Sequence, residues 1–74
     1  MGSMSAGNHD LAIGMLSGYI ERMIDPECSP IAVMASAGTA LLIFRTLSII
    51  SAKEEVHYTE RLRRVYERRQ GRAA

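Results

Sequence analysis

Twenty-two consecutive residues, Ile31 to Ala52, carry a single charge, Arg45, and that run limits what the chain can fold into more than any other feature. Its middle holds Leu41, Leu42, Ile43, Phe44, Leu47, Ile49 and Ile50. Its polar members, Ser36, Thr39, Thr46, Ser48 and Ser51, have hydroxyls that bond back to the preceding helical turn and so cost little when buried. A helix with one apolar stripe is covered by one neighbour, whereas a helix apolar nearly all round has to be buried on several sides.

The chain has few means of providing that cover. It is 74 residues long, and below about 70 to 80 residues a chain usually draws on disulfides, a metal or a partner subunit for burial. With one cysteine, Cys28, no intrachain disulfide forms. Two distant histidines, His9 and His57, do not make a four-ligand zinc set in one chain. A partner subunit remains, and we expect a homodimer.

Local signals give helices throughout. Asn8 reads as an N-cap with Asp10 behind it. Ile13, Leu16, Ile20 and Met23 then recur at helical spacing, with Gly14, Ser17 and Gly18 on a neighbouring stripe that admits close approach of another helix. Asp25-Pro26 ends this helix. After the turn, Ser29-Pro30 supplies an N-cap followed by proline at the first helical position.

Between Thr39 and Gln70 there is no glycine or proline, so one long helix to about Arg69 is expected. The alternative is a break near Ser51, where Ser51-Ala-Lys-Glu54 matches a capping box. The expected organisation is a cloning scar and disordered N-terminus over 1–7 and one helical domain over 8–70. Within it we place a helix over 8–24, a turn over 25–29 and a long helix over 30–69, with a frayed tail over 71–74. The fold class is all-α: a helical hairpin, short helix then long helix, dimerising into a four-helix-bundle-like assembly. Leu41, Leu42, Phe44, Leu47, Ile49 and Ile50 are its expected dimer core.

Charge is unevenly distributed. Residues 1–52 hold two basic and four acidic side chains, and residues 53–74 hold seven basic and four acidic. Six arginines fall between Arg61 and Arg72, making the tail the candidate for an acidic surface. Arginine and tyrosine dominate the strongest protein–protein contacts, so Tyr58, Arg61, Arg64, Tyr66 and Arg68, with Arg45, are the expected partner-binding residues.

Chemistry-bearing patterns are sparse. Glu54-x-x-His57 has the spacing of a di-metal bundle ligand pair, but Glu21, the one glutamate of the first helix, would lie about 30 Å from Glu54 in a hairpin. Cys28 stands beside Asp25 and Glu27 with no histidine close to it in sequence, which speaks against a nucleophile. No catalytic, cofactor or metal site is expected.

The leading expectation is a cytoplasmic, non-enzymatic homodimer of the bacterial or phage regulator type that binds and inhibits a larger protein. One alternative is a single membrane span over Pro30 to Ala52 with a basic cytoplasmic tail, opposed by the cost of Arg45. The other is a nucleic-acid-binding dimer using the basic C-terminal helix.

Overall fold

The computed structural model describes residues 3–73, with side chains described for residues 7–71. Three helices follow one another, α1 over Ser3–Ile24, α2 over Pro30–Thr46 and α3 over Ala52–Ala73. Among the described residues every element is helical.

The boundary between α1 and α2 follows the sequence signals. Asp25 accepts from the backbone N–H of Glu27 through its side chain at 2.9 Å, closing a tight turn. Ser29 is the N-cap of α2, its Oγ accepting from the Ala32 N–H at 3.2 Å, with Pro30 at the first helical position. At the start of the chain, α1 begins at Ser3 rather than Asn8, so Asn8 is an interior helical residue. Gly7 is tolerated because a solvent-facing helical glycine costs only about 1 kcal/mol. The other end likewise extends, since α3 passes through Gly71 to Ala73.

The long continuous helix is not formed. α2 stops at Thr46, and Ser48 adopts φ 58°, the left-handed conformation that helix C-termini usually give to glycine. The Ile49 N–H donates to Phe44 O at 2.8 Å and the Ser48 N–H to Arg45 O at 3.0 Å, a Schellman closure built on serine. The capping box then opens α3. Glu54 N–H donates to Ser51 Oγ at 3.1 Å while Glu54 Oε1 accepts from the Ser51 N–H at 2.8 Å.

Burial favours the break. By turning at 47–51, the chain brings α3 back across both other helices, and each pair of helices packs together. Ala12, Leu16, Ile20 and Met23 of α1 meet Val33, Ala37 and Leu41 of α2, Ile50 of the connection, and Tyr58 and Leu62 of α3. Leu16, Met23 and Leu62 are fully enclosed. Burying such side chains contributes roughly 1.5 to 3 kcal/mol each, which outweighs the cost of about 1 to 2 kcal/mol for one left-handed non-glycine residue. The architecture is therefore a three-helix arrangement within one chain, in place of a two-helix hairpin.

The same break shortens the apolar helix. Among the described residues no helix is long and apolar enough to cross a membrane. α2 has 17 residues, about 25 Å, where a bilayer core needs about 30 Å.

Two hydrogen-bonded ties fasten α3 to α1 and the first turn. His9 Nε2 of α1 donates to Glu54 Oε2 at 2.6 Å, so one carboxylate caps α3 and binds α1. At the opposite end, the Arg69 guanidinium donates to Cys28 O at 2.8 Å and Met23 O at 3.1 Å, with Pro26 O at 3.4 Å. Arg69 thus satisfies carbonyls left open where α1 ends and places its charge at the negative pole of that helix.

Candidate functional site

Seven residues separate Arg61 from Arg68, two helical turns, and Arg64 lies between them, so all three arginines fall on the α1 side of α3. They line a groove of about 260 Å³ with Ile20 and Ile24 of α1 and Val65 of α3. Ile24, on its rim, is 61% exposed. A second hollow of about 170 Å³ joins Ile24, Val65 and Arg68 to Arg69. Hydrocarbon thus flanks the three guanidinium groups.

The nearby carboxylates are held by Arg63, although the charge of Arg64 also acts on Glu60. Glu60 Oε2 and Glu67 Oε2 are both taken by Arg63, at 2.6 and 2.9 Å, on the outer surface of α3. Hydrogen bonding to Arg63, then its charge, holds the Glu60 carboxyl below its ordinary 4.5. The same two carboxylates raise Arg63. Among the described residues Arg61, Arg64 and Arg68 make no ion pair.

The other expected contact residues are placed elsewhere. Tyr58 is 9% exposed and belongs to the core, its ring edge-on to His57. It lies on the inner face because α3 folds back onto α1 and α2. Tyr66 is partly buried against the same core. Arg45 is half-buried across the break, its Nε 3.5 Å from Glu55 Oε1 but without a hydrogen bond.

The six expected dimer-core residues separate in the same way. Leu41 and Ile50 are buried within the chain, and Phe44 and Ile49 pack on its core. Only Leu42 and Leu47, each 64% exposed, remain fully outside. The return of α3 takes the rest.

Exposed apolar surface persists on the α1–α2 side. A shallow groove of about 400 Å³ runs along α1, lined by Leu11, Gly14, Met15 and Gly18 with Asp10 and Arg22 among its charged members. A hollow between Tyr19, Arg22, Ala32 and Ser36 continues it onto α2. Every exposed residue of α2 is uncharged.

Comparison of the chain with protein-family models, curated proteins and solved structures gives no match. Among the described residues no cluster of three or more His, Cys, Asp or Glu side chains is arranged to hold a metal. Sequence reasoning missed His9 and Arg69, whose partners lie 45 and 41 to 46 residues away. Neither has a local signal, since each bond exists only once α3 has turned back.

Proposed function

We propose that this chain is a cytoplasmic, non-enzymatic helical homodimer that binds a larger protein and inhibits it, in the manner of small bacterial or phage regulators. The groove of Arg61, Arg64 and Arg68 takes an acidic segment that also carries apolar side chains. The carrying observation is those three unpaired guanidinium groups flanked by Ile20, Ile24 and Val65. Arginine in that setting pairs bidentately with carboxylates while its stem covers hydrocarbon. An amphipathic acidic helix laid in the groove meets both requirements.

The homodimer is supported by the surface left over. The chain exposes 5136 Å², against about 4,500 Å² expected for a folded monomer of 8.2 kDa. Leu11, Ile31, Leu42, Ile43 and Leu47 contribute large apolar areas to it.

The test uses a synthetic acidic amphipathic helix as probe, with calorimetry reporting affinity and stoichiometry. One peptide should bind per chain, and Arg61, Arg64 and Arg68 replaced together by Glu should abolish binding with helical circular dichroism unchanged. Undiminished binding by the triple variant contradicts the reading. Steeply salt-dependent binding to unrelated duplex DNA, in place of the peptide, would move the groove to nucleic acid.

A further inference from the structure

The α1–α2 face has an internal correspondence that specifies how a second copy sits on it. Along the α1 groove, Asp10 lies one turn before Gly14 and Arg22 one turn after Gly18. The sequence is thus balanced about the level of Leu16, with an acid at one end, a base at the other and two glycines between. On α2, the small Ala35 and the large Ile43 are balanced about Thr39, all three of them exposed. The two centres coincide in height. The short turn between Ile24 and Pro30 joins the two helices antiparallel, and Tyr19 and Ser36 line one hollow, so Leu16, three residues before Tyr19, falls near the level of Thr39, three residues after Ser36.

We infer that two copies pack α1–α2 face to α1–α2 face about a twofold axis crossing the helices at the level of Leu16 and Thr39. This rests on the homodimer proposed above and specifies its interface. Each α1 runs antiparallel to its mate and each α2 to its own. Asp10 then meets the second copy's Arg22, and Gly14 meets the second copy's Gly18. Ala35 receives the second copy's Ile43.

Three observations make the occupant a copy of this chain. First, the charges are self-complementary only in the antiparallel sense; a parallel pair sets Asp10 beside Asp10 and Arg22 beside Arg22. Among the described residues Arg22 has no carboxylate, lying 5.8 Å above the Tyr19 ring. Among them Asp10 has only His9 Nδ1 at 4.0 Å.

Second, glycine faces glycine on α1 and small faces large on α2. A Cβ added at Gly14 or Gly18 would meet nothing within 4 Å, so these glycines serve no packing inside the chain. They let the two α1 backbones approach closely, with the exposed Met15 of the other copy falling at the level of Ser17 between them.

Third, the area suits a reversible dimer. With about a dozen residues per copy at roughly 35 Å² each, the interface buries about 850 Å² in all, below the roughly 1,200 Å² of stable complexes and within the range of weak, transient ones.

Sedimentation equilibrium on the purified full chain tests the arrangement. Gly18→Leu should raise the dimer dissociation constant by about 100-fold through overpacking in both copies. It should not unfold the monomer, because the space beside Gly18 is open and leucine is the better helix former. Asp10→Arg or Arg22→Asp alone should weaken the dimer about fivefold, as expected for exposed pairs formed twice. The double exchange should bring it back to within about twofold of the parent.

A parent dimer unaffected by all these changes overturns the inference and places the contact on another face, leaving the homodimer itself intact. A parent chain that stays monomeric at millimolar concentration overturns both. The peptide test at the arginine groove is independent of either result.

Discussion

Replacing Arg69 by Ala probes whether α3 is held in place by its far end. The guanidinium bridges α3 to the α1–α2 turn, donating to Cys28 O and Met23 O at 2.8 and 3.1 Å. A hydrogen bond with one charged member contributes roughly 1.5 to 3 kcal/mol net. Arg69 is half-buried, so solvent screens it, and two good bonds together are worth about 2 kcal/mol. The third, to Pro26 O at 3.4 Å, adds little. For a domain of this length about 2 kcal/mol lowers the melting temperature by roughly 8 to 16 °C.

Thermal unfolding followed by circular dichroism at one fixed protein concentration reads this directly, with Arg68→Ala as the exposed control. Arg69→Lys should recover less than half the loss, because one ammonium cannot span carbonyls that the planar fork reaches together. A melting point within about 2 °C of the parent for Arg69→Ala would refute the clamp, since a bridging contact of this strength cannot vanish without cost.

Other changes have equally definite expectations. Ser48→Gly relieves the left-handed serine at φ 58° and should stabilise the fold by about 0.5 to 1 kcal/mol in urea titration. Leu16→Ala, at a side chain with no exposure, should cost about 2 to 5 kcal/mol by the same assay. The Glu54 carboxyl is held below its ordinary 4.5, first by the Ser51 backbone N–H and then by His9. A carboxyl depressed in the folded state stabilises above its unfolded pKa and stops doing so as pH falls through the folded one. The gap in melting temperature between the parent and Glu54→Ala should therefore be full above pH 4.5 and shrink below it; a gap unchanged down to pH 2 would deny Glu54 its capping role.

Much of the fold can be read from local chemistry. Asp25-Pro26 and Ser29-Pro30 mark the first turn because proline restricts its neighbours whatever the tertiary context. The second turn is harder, since no glycine or proline stands between Thr39 and Gln70. Its stop signal is Ser48 in a conformation that serine rarely adopts, stabilised by the packing of Ile50, Tyr58 and Leu62 that the turn makes possible. Only the capping box of Ser51 and Glu54 announces it in the sequence. The expectation of α2 as a shared core fails in part for the same reason, because α3 covers Leu41 and Ile50. Arg61, Arg64 and Arg68 are legible as one helical face, while the hydrophobic flanks supplied by Ile20 and Ile24 depend on the return of α3.

The pairing of α1–α2 faces is the central claim, and Thr39 lies on its axis. A Thr39→Cys chain, with Cys28→Ser to remove the native thiol, places two thiols against each other across the twofold. Under mild oxidation at a concentration where the parent is dimeric, it should convert almost wholly to a covalent species of twice the 8.2 kDa chain mass. The control Gln70→Cys, at an exposed position near the end of α3, should stay largely uncrosslinked. Equal yields from both positions, or efficient linkage from Gln70→Cys alone, would contradict the arrangement.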